Sequence, residues 1–464
     1  MTLSESNSHL PSIDILRDVV ILQKNKSMHE CESGQLIRQA VMFLVCSSIS
    51  IGLAAQSLTD AIEMTLRTNP DILVSKYGVE AAQQLHKQAK GAYLPSVDLA
   101  LAGGYENSDN TTTRATPLNE IDLTKQEKSI KVTQLIYDGF ATSNLIKQQS
   151  ALIDSAAARL GSSQENVSLR AVQVYLEMLR RKKVVDLTQE NLNQHEQTLS
   201  KIEERFGSGV GTKVDVVQTR GRRAQSKSNL LLAERDVKNG NAEFFRVVGE
   251  YPQEISEPAV VKGLPGTLDE AIQSAMMNNH GLKAAEADLL AAVAGKKQVR
   301  GSYHPRFDLE IGASRNADTD GVVGENNDET AVIRMSYNLY RGGADKAREN
   351  EAEAREFAAR ETVRSIRRAV EENVTLIWNE LEDILQRLEY LEAHVTSTEE
   401  VLVVYNEQLS LGKRTLLDLL DIQNELLRAR VAFISGQYSE KLARYRVLAS
   451  TGRMLETMGI EPED

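Results

Sequence analysis

Cysteine is nearly absent from this sequence, and its absence excludes two classes of protein. The 464 residues include two cysteines, Cys31 and Cys46, and none follows them. The part of the chain after residue 46 therefore cannot contain a disulfide bond or a metal centre with cysteine ligands. Proline is also scarce, with nine residues, which leaves room for very long helices. Aromatic residues make up 5%, which is little for a large α/β enzyme.

Positive charge is in deficit as well, since the formal net charge is -12. No basic stripe offsets this balance, so nucleic acid is not an expected partner. The seven histidines are scattered without metal-binding spacing. The glycine-rich stretch Gly207–Lys213 lacks the Lys-Ser/Thr ending of a phosphate loop. We therefore expect no enzyme activity, no bound metal and no cofactor.

Long hydrophobic runs are lacking too, apart from AVMFLVCSSISIGLA at residues 40–54. This run of about fifteen residues is shorter than the roughly 20 that a membrane-spanning helix needs, and small residues follow it. The pattern predicts a signal peptide cleaved near Ala54 or Ala55, which makes residues 1–55 an N-terminal extension and signal peptide. A buried helix is the alternative. No small residue precedes Cys46, which disfavours a lipoprotein anchor.

The rest of the chain repeats itself. The matched segments are SLTDAIEMTLRTNP with TLDEAIQSAMMNNH, YLPSVDL with YHPRFDL, YDG with YRG, and GVGTKVD with GKRTLLD. The first two pairs lie 210 residues apart and the last two lie 203 apart, so their order is kept. A period of this size indicates a duplicated domain rather than a solenoid. We assign residues 56–265 to the first repeat, 266–458 to the second and 459–464 to a C-terminal tail.

Each repeat contains two stretches in which apolar and polar residues alternate, as in a strand with one apolar face. The alternation predicts strands at about 96–108 and 128–137, and again at about 306–316 and 330–340. Ten to twelve residues is the length that crosses a bilayer when the strand is tilted. Aromatic residues near the strand ends suit a membrane interface: Tyr93, Tyr137, Phe140, Tyr303 and Tyr340. Two ordinary hairpins on a soluble sheet are the alternative.

Four strands cannot close a barrel, because about eight is the practical minimum. An open sheet edge cannot stand in lipid, because its N–H and C=O groups would have no partner. Strands that span a membrane here must therefore be pooled between several chains. Three chains would supply twelve strands.

Between the strands and the repeat ends, the sequence predicts helices far too long for one globule. From Val167 to Phe206, and at the matching positions from Val370 to Leu409, apolar residues recur every third and fourth position. This is a coiled-coil seam in the same register in both repeats, with His195 as a packing residue on it. A helix of about sixty residues is about 100 Å long. Glycine-bearing turns then reverse the chain, and returning helices run to about Val248 and about Met454.

These features together resemble the TolC family of outer-membrane exit ducts. Both repeats open on Leu-x-Asp/Glu-Ala-Ile, at 58–62 and 268–272, and contain paired strands, a Tyr-x-Gly and a Gly-x-x-Thr-x-x-Asp turn. The resemblance covers about Ser57 to Met458. It implies a mainly α fold with a small β part, in which a homotrimer forms one membrane β-barrel. A long antiparallel α-helical coiled-coil barrel continues it as a tunnel.

The resemblance also implies a location and partners. The barrel would lie in outer-membrane lipid of a Gram-negative bacterium, and the helical part in the periplasm. The far turns would dock onto a periplasmic adaptor (membrane fusion) protein. That adaptor would itself bind an inner-membrane ABC exporter or another pump.

The family's site residues carry over onto matching positions of this chain. The resemblance implies a pore constriction at Asp418 and Asp421, where carboxylates of three chains would ring the axis and select cations. It implies a gate latch between Arg414 and Asp215. The implied tip turns and adaptor contacts are Gly207, Gly209, Gly211, Thr212, Gly412, Lys413 and Thr415.

A plainer interpretation of the acids stays open. Thr212 with Asp215, and Thr415 with Asp418, fit capping boxes in which the threonine oxygen and the acid satisfy helix N-terminal N–H groups. Capping and pore roles can coexist at Asp418. Asp421 lies beyond the first turn, so neither a cap nor the helix dipole explains it. Leu409 departs from the tyrosine that well-known family members carry there, which leaves open how the closed state is held.

Three functions remain at this point. The favoured one is a passive exit duct for a type I secreted protein, because many drug-efflux members carry the lipoprotein cysteine that is not indicated here. The first alternative is the outer-membrane component of a small-molecule pump for drugs or metals. The second is a soluble periplasmic coiled-coil scaffold.

Overall fold

The structure is a computed structural model, and it describes residues 56–461 except 116, 118 and 119. The predicted signal peptide and both cysteines lie outside the described residues, as do residues 462–464 of the predicted tail. Within the described residues, no helix is both long enough and apolar enough to span a membrane.

The described chain contains the same six elements twice. The first repeat consists of α1 (Leu58–Thr68), α2 (Pro70–Gly91), β1 (Ser96–Ser108), β2 (Ile121–Tyr137), α3 (Ala141–Gly207) and α4 (Lys213–Val248). The second consists of α5 (Leu268–Asn278), α6 (His280–Val299), β3 (Arg306–Thr319), β4 (Val322–Ser336), α7 (Ala344–Ser410) and α8 (Leu416–Ser450), and the short helix α9 (Met454–Thr457) follows. Helices α3 and α7 have 67 residues each, or about 100 Å.

Asparagine caps separate the two short helices of each repeat. In the first repeat, the Asn69 Oδ1 accepts the Asp71 N–H at 3.0 Å, and its amide donates to the Val247 carbonyl oxygen at 3.0 Å. In the second, the Asn279 Oδ1 accepts the Leu282 N–H at 3.0 Å. The second repeat has no proline after its asparagine, so the shared cause of the break is the side-chain cap.

The predicted seam of the long helices is confirmed. Its positions in α3 and α7 are buried or half-buried, with Phe206 as the exception at 46% exposure. Phe206 lies in the last turn of α3, where the chain is about to reverse. His195 is fully buried, as a packing residue would be.

The main core lies where the short helices meet the long ones. Its largest fully buried members include Tyr175 on α3 and Phe244 on α4. Met454 of α9 packs in the same cluster, and so does Ile460 of the predicted tail. The end of the chain thereby closes the core around α1 and α3.

The four strands form one antiparallel sheet in the order β1-β2-β3-β4. Strand β1 begins and ends where the alternation predicts, β2 ends at Tyr137 and β3 begins at Arg306 as predicted, but the remaining boundaries are wrong. Strand β2 begins at Ile121 rather than near 128, β3 runs on to Thr319, and β4 begins at Val322 rather than near 330. The strands are longer because hairpin pairing continues through polar residues beyond the apolar run.

The prediction that Tyr340 ends a strand is also wrong. Strand β4 ends at Ser336, which pairs with Arg306, the first residue of β3. Since β3 offers no residue beyond Arg306, the ladder stops there, and Tyr340 lies four residues further along the chain.

The β3–β4 turn explains why the second repeat is shorter. Thr319 pairs with Val322, so the turn consists of Asp320 and Gly321 alone. Their φ angles of 55° and 77° are both positive, as in a type I′ hairpin. The corresponding β1–β2 connection runs from 109 to 120 and includes a 3₁₀ turn at Thr113–Ala115.

Candidate functional site

One face of the sheet is apolar and uncovered. At its centre, Val97 pairs with Val132, Val132 with Ile311, and Ile311 with Ala331, which makes an apolar row across all four strands. Val97 is 62% exposed and Ile311 is 48% exposed. An apolar surface of this extent on a soluble protein would promote aggregation. The soluble-scaffold alternative therefore does not fit.

The apolar band has boundaries along the strands. At one end Tyr137 pairs with Phe307. At the other, Lys128 lies opposite both Leu101 and Arg315. The band between these rows is what a hydrocarbon layer would cover, with aromatic residues at one margin and basic residues at the other.

The opposite face of the sheet is charged and paired. The Glu310 carboxylate lies 3.1 Å from the Lys131 Nζ of β2 and 2.9 Å from the Arg334 Nε of β4. Nearer the helices, the Arg306 Nε lies 2.7 Å from the Asp308 carboxylate. A sheet with one lipid-compatible face and one water-compatible face is the pattern of a transmembrane barrel segment.

The predicted interface aromatics lie together at the helix-side end of the sheet. Tyr93 precedes β1, Tyr303 precedes β3, and Tyr137 ends β2. The Tyr137 ring packs 5.6 Å from the Phe140 ring, centroid to centroid. Tyr340 is in the loop after β4 and is 82% exposed. The structure thus brings the five residues to one end, although Tyr340 is not on a strand.

The helical turns at the far end need their glycines. Gly209 has φ 80° and Gly412 has φ 70°, conformations that glycine adopts at little cost. Beside them, Val210 is 71% exposed and Leu411 is 68% exposed. Sequence reasoning missed these two residues. An apolar side chain inside a glycine-rich turn is the signal that could have revealed them.

Both predicted capping boxes are present. The Thr212 Oγ1 accepts the Asp215 N–H at 3.2 Å, and Thr415 does the same for Asp418 at 3.3 Å. The Asp418 carboxylate accepts the Thr415 hydroxyl at 2.8 Å, and this bond is the largest cause that lowers the Asp418 pKa. Asp418 is therefore ionised at neutral pH while it caps α8.

The two predicted latch residues do not meet within one described chain. The Arg414 Nε donates to the Gln408 Oε1 at 3.1 Å, and its guanidinium carbon lies 4.3 Å from the Tyr405 ring centroid. The Arg414 Nη1 lies 3.7 Å from Asp418. The Asp215 carboxylate accepts from Thr212 in its cap. A contact between Arg414 and Asp215 would have to join two chains.

Asp421 has a partner that the sequence did not indicate. Its Oδ1 lies 2.6 Å from the Arg222 Nη2 of α4, in the other hairpin. The two side chains remain 58% and 33% exposed. Arg222 and Asp421 are 199 positions apart in the sequence, and no local sequence pattern predicts their contact.

Leu409 lies in an apolar contact between the hairpins. It packs, partly buried, against a cluster of Ile202 in α3, Val216 in α4, and Leu416 and Leu420 in α8. All four cluster members are buried. The hydrogen bond that a tyrosine could form at this position is thus replaced by apolar packing between four helix ends.

Glu165 is a buried acid that sequence reasoning missed. It is 6% exposed on α3, and its Oε1 accepts the Leu455 N–H at 3.4 Å. Its Oε2 has no hydrogen-bond partner among the described residues. Burial raises the pKa of Glu165 to about 7, and the N–H groups of Leu455 and Met454 oppose that rise. No periodicity reveals it, because its burial depends on where the chain's last turn docks.

This pKa predicts a pH-dependent stability. Above the ordinary glutamate pKa of 4.5, the folded chain keeps a proton that the unfolded chain has lost, up to about pH 7. Stability is therefore present in acid and falls as pH rises through 7. Glu165→Gln is expected to raise the free energy of unfolding at pH 8.5 by up to about 3 kcal/mol per chain, and the unfolding temperature with it. The substitution should also make the unfolding temperature depend less on pH between pH 5 and 8.5.

Glu80→Gln supplies the control for that measurement, since Glu80 is an exposed glutamate on α2. Thermal unfolding of the detergent-solubilised protein, followed by circular dichroism, measures the effect. Parallel profiles for the Glu165 variant and the wild type would show that Glu165 does not titrate near neutral pH.

The family assignment follows from this geometry and from comparison with known proteins. The family model described as outer membrane efflux protein matches residues 61–250 and 271–453. The chain belongs to this family, and the TolC-like resemblance is confirmed. The family model matches twice, once in each half of the chain.

Its relatives include outer-membrane proteins and a secretion protein. The chain is 25% identical to the outer membrane efflux protein BepC of Brucella suis biovar 1, over 90% of each chain. It is 21% identical to TolC of Escherichia coli K12, over 87% of this chain and 83% of that one. It is 22% identical to the alkaline protease secretion protein AprF of Pseudomonas aeruginosa, over 83% and 82%.

Solved structures share the fold at low identity. The Campylobacter jejuni CmeC outer membrane channel superposes with a TM-score of 0.76 at 13% identity, covering 88% of this chain and 87% of that chain. A membrane protein from Pseudomonas aeruginosa gives a TM-score of 0.75 at 17% identity, covering 85% and 93%. The fold class of four strands joined to long helical hairpins is thus that of known outer-membrane channels.

Proposed function

We propose that three copies of this chain pool their strands into one twelve-stranded barrel in the outer membrane. The observation that carries the proposal is the four-stranded sheet. Its apolar face is uncovered, and β1 and β4 each have an outer edge that pairs with no strand among the described residues. Such edges need partners in lipid, and neighbouring copies supply them. The long hairpins of the three copies then continue the barrel as a periplasmic tunnel.

The tunnel serves as a passive exit duct, and its energy comes from a partner. The turns around Gly209 and Gly412 lie a helix length of about 100 Å from the sheet. Val210 and Leu411 give these turns an apolar surface for a periplasmic adaptor. The adaptor connects the duct to an ABC exporter or another pump in the inner membrane.

The proposed cargo is a type I secreted protein. The relative AprF, whose name specifies alkaline protease secretion, supports this cargo class. The relative BepC, named as an efflux protein, supports the small-molecule alternative. A deletion strain separates the two. Loss of a secreted protein from the medium with unchanged drug tolerance supports protein export, and the reverse result supports small-molecule efflux.

The proposed constriction gives a prediction for cation block. In a trimer, Asp418 and Asp421 would place carboxylates of three chains around one axis, where multivalent cations bind. Asp418→Asn is expected to raise the half-blocking concentration of hexamminecobalt by about tenfold, because a ring of like charges is removed. Single-channel recording in planar bilayers measures this block.

An acid outside the proposed gate offers the control. Glu80→Gln removes an exposed carboxylate of α2 and should leave the block unchanged. Equal effects of the two variants on the half-blocking concentration would mean that Asp418 does not line the pore.

The proposed contact between Arg414 of one chain and Asp215 of the next gives a second prediction. Arg414→Ser should raise the basal conductance of the closed channel, because a charge-assisted tie between chains is lost. Lys413→Ser, at the neighbouring position, serves as the control. Unchanged conductance in the Arg414 variant would show that this residue does not hold the gate.

A further inference from the structure

Charges alternate in sign across the polar face of the sheet, near its helix-side end. Asp98 of β1 lies directly opposite Lys131 of β2. The Lys131 Nζ lies 3.1 Å from the Glu310 carboxylate of β3. That carboxylate also accepts from the Arg334 Nε and Nη2 of β4, at 2.9 and 3.0 Å. From β1 to β4, the row is therefore acid, base, acid, base.

The row ends in an available charge on each outer edge of the sheet. Asp98 is exposed and takes part in no ion pair among the described residues, because Lys131 binds Glu310 instead. Arg334 is 58% exposed, and Glu310 uses two of the five N–H groups of its guanidinium. The edges that carry Asp98 and Arg334 are therefore complementary in charge when β4 of one copy meets β1 of the next.

The alternation of side chains is the first condition on how these edges can pair. Residues directly opposite each other lie on the same face, and a slip of one residue would turn the polar side chains of one strand toward lipid. Arg334 must therefore lie opposite a residue on the polar face of β1. The candidates are Ser96, Asp98, Ala100 and Ala102.

The tilt of the strands in a closed barrel is the second condition. A line straight across the sheet passes from Ser96 through Thr133 and Glu310 to Val332. In the next copy it must reach β1 beyond Ser96, where that strand begins, and this shift sets the tilt. With a rise of about 3.3 Å and a spacing of about 4.8 Å, shifts of four and six residues give tilts of about 35° and about 46°. Only these two match the tilt of about 35–45° that barrels adopt, because shifts of two and eight give about 19° and about 54°.

Both allowed shifts bring Arg334 to Asp98. A shift of four places Val332 opposite Ala100, and therefore Arg334 directly opposite Asp98. A shift of six places Arg334 opposite Ala100, with Asp98 on the helix-side diagonal. The chain already uses this diagonal, because Glu310 lies opposite Val332 but binds Arg334. Diagonal neighbours are about 7–8 Å apart, which a long side chain can span.

We propose that Arg334 of one copy and Asp98 of the next form an ion pair that joins the charge rows of all copies into one closed ring on the inner face of the barrel. The proposal rests on the proposed function, since only copies that share a barrel bring these two edges together. It goes further, because it names the residues that select the register between copies. The partner that the free edges fit is thus a second copy of this chain in one of two registers.

Cysteine pairs test the register directly. The background is the full chain with Cys31→Ser and Cys46→Ser, so that only introduced thiols can react. Asp98→Cys with Arg334→Cys should link neighbouring copies if the shift is four, and Asp98→Cys with Ser336→Cys should link them if it is six. Direct cross-strand partners have Cα atoms about 4.5–5.5 Å apart, which suits a disulfide, and diagonal partners are too distant. Oxidised outer-membrane fractions on a non-reducing gel show the linked chains.

The opposite face of β4 supplies the control for the cross-links. Ile333→Cys lies next to Arg334 in the sequence but on the apolar face, so it should not link to Asp98→Cys. A trimer in which neither Arg334→Cys nor Ser336→Cys links to Asp98→Cys would overturn the ion pair and leave the shared barrel standing. A chain that is monomeric in the membrane without any introduced cysteine would contradict the shared barrel itself.

Asp98→Asn tests the charge rather than the position. Loss of an exposed ion pair changes an equilibrium by a few-fold, so loss of three in one trimer should speed its dissociation on heating by about tenfold. Salt should speed dissociation of the wild type, because it screens the pair, and should affect the variant less. The trimer band on gels of samples heated for increasing times measures the rate.

Glu127→Gln is the matched control for this rate. The Glu127 carboxylate lies 2.8 Å from the Lys125 Nζ within β2, on the same polar face but away from the outer edges. This variant should dissociate at the wild-type rate. An Asp98→Asn trimer that dissociates at the wild-type rate, or with the same salt dependence, would overturn the ion pair.

Discussion

Val97→Arg is expected to abolish assembly of the protein in the outer membrane. Val97 is 62% exposed and lies in the apolar row that crosses all four strands. An arginine on the lipid face of a barrel costs about 2–4 kcal/mol near the bilayer midplane. Three chains would bring three such arginines into one barrel, so the expected cost is about three times larger. The measurement is the amount of heat-modifiable oligomer in outer-membrane fractions.

Ala100→Arg provides the matched control on the same strand. Ala100 is exposed and pairs with Ser129 on the opposite, polar face of the sheet. An arginine there would face water in the barrel and should leave the oligomer in place. Normal assembly of the Val97 variant, or equal failure of both variants, would mean that the apolar face does not meet lipid.

Gly139→Ala should disrupt the junction between the barrel and the tunnel. Gly139 has φ +66°, and a Cβ there would lie 2.5 Å from the His304 Cβ and 2.7 Å from the Gly301 carbonyl oxygen. Backbone cannot move aside as the end of a flexible side chain can. Left-handed strain and overpacking together cost about 2–5 kcal/mol per chain. A lower yield of folded oligomer and a lower unfolding temperature are expected.

The duplication supplies the control for this glycine as well. Gly342 occupies the matching Tyr-x-Gly position of the second repeat, with φ +61°. Apart from its chain neighbours, no described residue has an atom within 4 Å of a Cβ placed there. Gly342→Ala therefore carries the left-handed strain of about 1–2 kcal/mol without the clash. Equal losses in the two variants would show that backbone strain alone explains the effect.

Elements set by local chemistry could be predicted from the sequence. The caps at Thr212 and Thr415 depend on a side chain and the N–H groups within three residues of it. The seam of α3 and α7 follows from helical periodicity, and the amphipathic strands follow from alternation. These predictions were confirmed because neighbours in the sequence decide them.

Strand lengths and charge partners could not be predicted in the same way. The β2 start at Ile121 depends on how far β1 continues to pair, because the polar residues 124–129 separate Leu123 from the apolar alternation that resumes at Ile130. Arg222 and Asp421 meet only after four helices have packed, and Glu165 is buried only once α9 has docked. Such contacts are decided by packing over hundreds of residues rather than by local pattern.

The central claim is that one barrel is shared between chains because the four strands of one chain cannot close it. Native mass spectrometry of the protein extracted from outer membranes into detergent tests this claim most directly. The account predicts a complex of three chains, which persists until heat separates it. A folded, stable single chain in the micelle would contradict it, since the outer edges of β1 and β4 would then stand in hydrocarbon without partners.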